Sequence, residues 1–295
     1  MSFYAFMGAM EIGLIFGLVA LGVLISFRIL NFPDLTVDGS FPLGGAVAAI
    51  LIANGRDPFI ATALAAAAGA AAGFVTGWLN VRLKIMDLLA GILMMGALYS
   101  INLRVMGRPN VPLISEPTVF SVLMPGWQPE YIEKPFILLV IVLLCKLLLD
   151  AYFSTERGLA MRATGANARM ASAQGVATNR AKLVGLAISN ALVALGGALF
   201  AQSQGGADIS MGIGTIVIGL AAVIIGESVL PSRRILWATL AVVIGAVLYR
   251  LFIALALESG EWTGLQSQDL NLIASALVVL VLVLPLIKRG LRARK

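Results

Sequence analysis

Long apolar stretches recur along this chain and constrain its fold more than any other feature. Nine of them lie between residues 5 and 287, separated by polar or proline-containing connections. A helix needs about 20 apolar residues to cross the ~30 Å hydrocarbon core of a bilayer. Repeated stretches near that length predict several membrane-crossing helices, because a helix satisfies its own backbone hydrogen bonds in lipid.

The apolar runs and their breaks place the nine segments at residues 5–27, 41–53, 59–79, 88–106, 136–153, 183–201, 213–225, 235–257 and 270–287. The second and seventh contain only 13 residues each, which is about 20 Å of helix. Each is expected to be broken, re-entrant or extended by flanking polar residues. The prediction is one all-α polytopic membrane domain over residues 1–295, with about 8–10 transmembrane helices and a broken second helix.

Composition excludes a water-soluble enzyme. Of the 295 residues, 60% are hydrophobic and 12% are charged, whereas a soluble domain carries about 25% charged residues. The chain has no histidine and a single cysteine, Cys145, so it lacks the commonest general base and metal ligand and has no pair for a disulfide. We therefore predict no catalytic residue and no metal site.

Positive charge predicts the orientation of the chain in the membrane. The basic residues cluster in one long connection, one short connection and the C-terminal tail: Arg157, Arg162, Arg169, Arg180 and Lys182; Arg233 and Arg234; Lys288, Arg289, Arg292, Arg294 and Lys295. The positive-inside rule places all three groups in the cytoplasm, with a cytoplasmic C-terminus and an external N-terminus. This bias explains the net charge of +6 without a nucleic-acid partner. Because the first basic residue is Arg28, no cleaved secretory signal is expected.

The third segment contains small residues suited to close helix packing. Gly69, Gly73 and Gly77 form two overlapping GxxxG steps, which allow two helix backbones to approach closely in lipid. Packing within the subunit is the favoured interpretation, and a seam between two subunits is the alternative.

The connection at residues 154–182 is long, basic and rich in alanine. It predicts one or two short helices beneath the bilayer, opened by Ser154 with Arg157 and punctuated by Gly165 and Gly175. A small-residue face at spacings of three and four residues (Ala163, Ala166, Met170 and Ala171) suits docking into the cleft of a partner. The alternative interpretation, an interfacial amphipathic helix attracted to anionic lipid, fits these residues equally well.

Irregular backbone is predicted at residues 31–45, where Pro33 and Pro42 flank Asp34 and Asp38. Proline removes backbone donors, so a plain helix is not expected to run through this segment. Asp38 is expected to cap the second helix. For Asp34 a role in a gate or an intersubunit contact is expected.

Further polar residues lie within or near the apolar segments. Glu11 lies in the first segment, where a carboxylate marks a pathway or else sits at the membrane interface. Arg104 and Arg250 either extend to the outer headgroups or together receive a substrate carboxylate. Interhelical hydrogen bonds or a pathway account for the amides Asn102, Asn190, Gln202 and Gln204. Met94 and Met95 either fill gaps or line an apolar pathway.

The basic connection resembles a known family. The string RATGANARMASAQGVATNRAK, at residues 162–182, is similar to the coupling segment of the permease subunits of ATP-binding-cassette (ABC) importers of the branched-chain amino acid group. The matching residues are Arg162, Ala163, Met170, Ala171, Ser172, Gly175, Val176 and Arg180. Residues 31–45 and 219–234 resemble more closely a subgroup that pairs with tryptophan-type periplasmic binding proteins. Glu227 departs from the branched-chain members, which tend to have glycine there.

The resemblance implies an ABC importer permease in the bacterial inner membrane. It implies three protein partners: an ATPase subunit, a periplasmic binding protein and a second permease copy, a homodimer being expected. The chain has no GxxxxGK[ST] motif, so ATP and magnesium would be bound by the ATPase and this chain needs no cofactor. A short helix near residues 162–176 would couple the two subunits, through Arg162, Ala163, Ala166, Arg169, Met170, Ala171, Gly175 and Val176. The expected cargo is a small polar solute, with an amino acid as the first candidate.

Two other classes of membrane protein fit the sequence less well. A secondary transporter is expected to carry several intramembrane acids, and from the sequence only Glu11 qualifies. An intramembrane enzyme needs clustered metal ligands or a nucleophile with a base, and the sequence offers neither.

Overall fold

A computed structural model shows eleven α-helices and one short β-ribbon in the part of the chain that it describes. It describes residues 3–114, 116–124, 129–232 and 234–258, together with residues 276 and 279. The helices are α1 (Phe3–Val23), α2 (Val37–Ala53), α3 (Pro58–Leu83), α4 (Asp87–Met106), α5 (Val119–Leu123), α6 (Glu130–Ser154), α7 (Glu156–Ala166), α8 (Ala168–Ala173), α9 (Thr178–Gln204), α10 (Thr215–Val229) and α11 (Ile235–Glu258). A π-helical turn, Leu24–Ile29, extends α1, and a 3₁₀ turn, Ile209–Gly212, precedes α10. Strand β1 (Asn110–Pro112) pairs antiparallel with β2 (Gly206–Asp208).

The prediction of an all-α polytopic membrane fold is confirmed. Seven helical stretches in the described part of the chain are long and apolar enough to cross a bilayer, and α2, with 17 residues, is a shorter apolar helix. These eight correspond to the first eight predicted segments. The ninth, at residues 270–287, lies outside the described residues except at positions 276 and 279. Arg233 and the basic tail from Lys288 to Lys295 lie outside them entirely.

The second helix differs from its prediction, because α2 is continuous through Pro42. The expectation of irregular backbone at residues 31–45 therefore holds for residues 31–36 and is wrong at Pro42. The helix tolerates the proline at the loss of one backbone hydrogen bond, to the Asp38 carbonyl. Polar residues extend the helix back to Val37, which was one of the three expected solutions.

The interruption lies before α2, at residues 30–36. Asn31 has a left-handed φ of 53°, and Phe32, Asp34 and Thr36 are completely buried. Non-helical backbone is tolerated at membrane depth when protein surrounds it.

Helices α2 and α3 both pack against α9 through backbone contacts. A Cβ atom at Gly73 would lie 2.1 Å from the Leu186 carbonyl oxygen, and one at Gly69 would lie 2.3 Å from the Ala194 Cβ. Gly77 faces Leu183 in the same way. The GxxxG steps therefore face a helix of their own chain, and the alternative of a seam between subunits does not fit these contacts.

A buried ion pair within α6 is linked to α11 by a hydrogen bond. Lys146 Nζ lies 2.6 Å from Asp150 Oδ2, with both side chains under 10% exposed, and Thr239 Oγ1 donates to Asp150 Oδ1 at 2.7 Å. The expectation that Glu11 is the only acid within a segment is therefore wrong. The nearby ammonium neutralises Asp150, so the pair does not resemble the free acids of an ion-coupled transporter.

Candidate translocation cleft and coupling surface

The first turn of α2 lies deep inside the helix bundle. Ser40 Oγ donates to Asn190 Oδ1 at 2.7 Å, and Asn102 Nδ2 donates to the Gly39 carbonyl at 3.1 Å. Asn190 lies about 18 Å from the start of α9, and Asn102 lies about 22 Å from the start of α4, at a helical rise of 1.5 Å per residue. We call the end of the bundle that holds α7 and α8 the coupling end, and the opposite end, with β1 and β2, the ribbon end. Helix α2 begins between the two.

A second helix begins at the same place. The Asp38 carboxylate accepts a hydrogen bond from the backbone N–H of Ile216, in the first turn of α10, at 2.7 Å. The sequence-based expectation was that Asp38 caps its own helix, and the structure corrects it, because the side chain caps α10. Both helices therefore begin at this carboxylate, which bonds directly to the first turn of α10.

A cleft of about 490 Å³ opens beside this junction. Three elements form its walls: the start of α2, one face of α4, and the turn before α10. The lining residues are Asp38, Gly39, Pro42, Met95, Gly96, Tyr99, Asn102, Ile209, Ser210, Gly212 and Ile213. The volume is that of a site for a small molecule. Asp38 is the one charged residue among these lining residues.

Asn102 is the polar residue of the cleft with an unused hydrogen-bonding group. The residue is completely buried, and among the described residues its Oδ1 has no hydrogen-bond partner. A buried acceptor without a donor costs about 1–3 kcal/mol. The wall of the cleft therefore holds an acceptor that a bound solute can satisfy.

Asp34 and Asn190, both predicted for the pathway, meet away from the cleft. Asn190 Nδ2 donates to Asp34 Oδ2 at 2.7 Å, and the backbone N–H of Thr36 donates to Asp34 Oδ1 at 2.9 Å. Both side chains are fully buried. This network fixes the non-helical stretch before α2 onto α9, and neither residue lines the cleft.

Met94 and Met95 have different roles in the structure. Met94 packs in a core cluster with Leu43, Ala72 and Leu98, whereas Met95 lines the cleft. The pathway interpretation fits Met95 and does not fit Met94.

The charged pathway candidates also lie outside the cleft. Glu11 accepts a hydrogen bond from Ser203 Oγ. Arg104 is exposed in the last turn of α4, while the guanidinium of Arg250 lies 4.3 Å from the centre of the Phe16 ring. Neither arginine lines the cleft, so the cleft does not bring them together to receive a substrate carboxylate.

The coupling segment folds as two helices. Asn167 separates α7 from α8 and caps α8, because its Oδ1 accepts from the Met170 N–H at 3.0 Å. The expectation of a single helix near residues 162–176 is therefore wrong, whereas the broader expectation of one or two helices holds. Thr155, rather than Ser154 with Arg157, opens α7 by accepting from the Gly158 N–H.

The predicted coupling residues divide between an inner and an outer face. Ala171 is buried within the chain, and a Cβ at Gly165 would lie 1.7 Å from the carbonyl oxygen of Ile29 in the π-helical turn. The exposed positions are Ala163, Ala166, Arg169, Met170 and Gly175, with Arg162 and Val176 half-buried. Gly175 has a left-handed φ of 81°. Ala171 therefore faces the chain itself, and the surface offered to a partner is narrower than the sequence predicted.

Several residues of the cleft were missed from the sequence. Tyr99, Gly212 and Ile213 line it, yet none was predicted. The available signal was the seventh segment, which was predicted to be too short to cross the membrane as a plain helix. In the structure a 3₁₀ turn, Ile209–Gly212, precedes the helix of this segment and lines the cleft. Among the described residues no group of three or more histidine, cysteine, aspartate or glutamate side chains could hold a metal ion.

Solved transporter structures share this fold. PsaBC from Streptococcus pneumoniae, in complex with Fab, aligns over 100% of this chain and 96% of that chain, with a TM-score of 0.56 and 13% identity. An inward-facing metal-chelate type ABC transporter aligns over 95% of this chain and 84% of that chain, with a TM-score of 0.53 and 16% identity. At these identities the likeness concerns the fold.

Relatives in sequence extend over most of the chain. The tyrosine transport system permease protein of Clostridioides difficile (strain R20291) is 40% identical over 90% of this chain and 86% of its own length. An uncharacterised protein of Rickettsia prowazekii (strain Madrid E) is 36% identical over 85% of this chain and 89% of its own length. The family model for the permease component of branched-chain amino acid transport systems matches residues 6–286. The chain therefore belongs to this family of ABC transporter permeases, multi-span membrane subunits that are not enzymes and that work with a separate ATPase subunit.

Proposed function

We propose that this chain is the permease of an ATP-driven importer that moves an amino acid, delivered by a periplasmic binding protein, across the bacterial inner membrane. Two copies of the chain would work with two ATPase subunits, with the C-terminus in the cytoplasm. The observation that carries the proposal is the 40% identity, over 90% of the chain, to a permease named for tyrosine transport.

The shape of the coupling surface supports an ATPase partner. Helices α7 and α8 lie at one end of the bundle, and Met170 is 64% exposed at this end. Close backbone contact between Gly165 and Ile29 joins the segment to the end of α1. A displacement of α7 by the ATPase would therefore be transmitted to α1 and to the segment before α2, because closely packed backbones do not compress.

The position of the cleft supports a second copy. Tyr99 and Ile213 are 57% and 75% exposed, and polar Asp38, Ser210 and Asn102 lie beside them. Lipid on this face would remove water from the partly exposed Asp38 and Ser210 side chains, which costs free energy. A second permease copy over this face would shield them and close the cleft into a pathway.

Reconstitution of the complete transporter tests the proposal. The permease, its ATPase and its binding protein are assembled in proteoliposomes, and uptake of radiolabelled L-tyrosine and of a panel of other amino acids is followed with and without ATP. We expect uptake of an amino acid that requires ATP and the binding protein. Uptake that follows an ion gradient and ignores ATP would contradict the proposal.

A matched pair of variants tests the coupling surface. Met170→Glu places a charge on the exposed face of α8, and we expect it to reduce capture of the ATPase and ATP-dependent uptake by at least about tenfold, as for a hot-spot residue. Met86→Glu is the control, because Met86 is also exposed (71%) and precedes α4 at the same end. Equal losses in both variants would argue against a specific coupling role for α8.

A further inference from the structure

We propose that the cleft between α2, α4 and the turn before α10 recognises its solute by a primary ammonium group, with Asn102 Oδ1 and the Asp38 carboxylate as acceptors. This inference rests on the proposed function, because it assigns the chemistry by which a transported amino acid is held inside the permease. It makes the cleft selective for amine-bearing solutes with an apolar or aromatic body.

The unpaired acceptor Asn102 Oδ1 is the first reason to expect an ammonium group in the cleft. Asn102 uses its Nδ2 to donate to the Gly39 carbonyl at 3.1 Å, which fixes the direction of the amide. Its Oδ1 then has no hydrogen-bond partner among the described residues. A solute that binds here must therefore offer a donor, and an ammonium group offers three.

The charge of the cleft is the second reason. Asp38, the residue before Gly39 in α2, is half-buried and lines the same cleft as Asn102. One formal negative charge and no positive one stand among the lining residues, so a solute enters favourably with its cationic end first. A free carboxylate placed beside them would be repelled by the Asp38 carboxylate and would leave Asn102 Oδ1 without a donor.

The apolar part of the cleft wall determines which kind of solute side chain fits. Tyr99, Met95 and Ile213 present an aromatic ring, a flexible thioether and an aliphatic chain to a space of about 490 Å³. Methionine and aromatic side chains adapt to flat apolar groups and offer few polar contacts. An amine with an aromatic or large aliphatic side chain fits this surface better than a sugar or a small hydrophilic anion.

Binding to the full-length permease in lipid nanodiscs, without nucleotide or binding protein, tests the inference. Equilibrium dialysis uses radiolabelled tyramine, which carries only the ammonium, with competition by L-tyrosine or by 3-(4-hydroxyphenyl)propanoate, which carries only the carboxylate. We expect tyramine and tyrosine to compete for one site and the propanoate to bind at least about tenfold more weakly, as for loss of a charge-assisted hydrogen bond.

Three variants separate recognition from folding. Asn102→Leu removes the acceptor, and Asp38→Asn removes the charge while its amide oxygen still accepts from Ile216. Each should weaken tyramine binding at least about tenfold. Asn54→Leu, at an exposed position after α2, should change it less than about twofold.

The inference is overturned if tyramine does not bind, if the propanoate competes as well as tyramine, or if neither cleft variant weakens tyramine binding. Two outcomes distinguish it from the proposed function. ATP-dependent amino acid uptake by the complete transporter, without amine binding to the cleft, overturns the inference and leaves the function intact. Amine binding that depends on Asn102, without ATP-dependent uptake, does the reverse.

Discussion

The carboxylate of Asp38, in the first turn of α2, accepts a hydrogen bond from the backbone N–H of Ile216, in the first turn of α10, at 2.7 Å. Two helices that are far apart in sequence thus begin at one place inside the bundle. The bond holds the two walls of the cleft together, because α2 and the turn before α10 both line it.

Loss of this cap should destabilise the permease. Asp38→Leu removes the acceptor for Ile216, and removal of a capping side chain costs about 0.5–2 kcal/mol. Asp38→Asn is the matched control, because its amide oxygen still accepts the bond. We expect a lower apparent melting temperature in detergent for the leucine variant alone. Equal melting temperatures for both variants would show that the cap contributes nothing to stability.

Because α3 packs closely on α9, one methyl group added at their contact should lower the stability of the permease. Gly73→Ala would place Cβ 2.1 Å from the Leu186 carbonyl oxygen, so the helices must separate at a cost of about 1–3 kcal/mol. At Gly8 a Cβ would meet nothing within 4 Å, and Gly8→Ala should stabilise α1 by about 0.5–1 kcal/mol through helix propensity. Thermal unfolding followed by tryptophan fluorescence compares the two. A neutral Gly73→Ala variant would contradict the close contact.

The buried pair of Lys146 and Asp150 should respond differently to single and double replacement. Lys146→Met alone leaves a buried carboxylate unpaired, which costs about 3–5 kcal/mol. Lys146→Met with Asp150→Leu removes both charges and should restore most of that loss. Thr239 keeps a partner in the double variant, because its Oγ1 also donates to the Leu236 carbonyl at 3.1 Å.

A second pair in the same helix serves as the control for this experiment. Lys134 lies 3.1 Å from Glu130, whose side chain is 77% exposed. Glu130→Ala should therefore change stability by less than about 1 kcal/mol. If the double variant at positions 146 and 150 were as unstable as Lys146→Met alone, the ion pair would matter for more than charge balance.

The ion pair between Arg28 and Glu227, at the coupling end, should contribute little to stability, and its contribution should depend on salt. Their side chains lie 2.6 Å apart and are 66% and 38% exposed, and exposed pairs contribute only about 0–1 kcal/mol. Glu227→Gln should lower the melting temperature slightly in dilute buffer. The difference should vanish near 1 M salt, where the screening length falls to about 3 Å. A difference that persists at high salt would indicate a contact other than charge.

The sequence alone determined the class of fold and the location of its helices. A crossing helix needs a run of apolar residues, and such a run is a local property that can be read without knowledge of neighbours. The first eight predicted segments all correspond to helices in the structure. The short helices α7 and α8 were also expected from local signals, namely the length, the positive charge and the small residues of the connection at residues 154–182.

Only the tertiary structure decided which polar residues meet. Asp34 bonds to Asn190, 156 residues away, and Asp38 bonds to Ile216, 178 residues away. Helix packing sets these pairs, and hydropathy does not encode it, since lipid-facing and protein-facing surfaces of a membrane helix are similarly apolar. For this reason local signals did not separate Met94 from Met95, or Asn102 from Asn190. The structure places Met95 and Asn102 in the cleft and buries their counterparts among the helices.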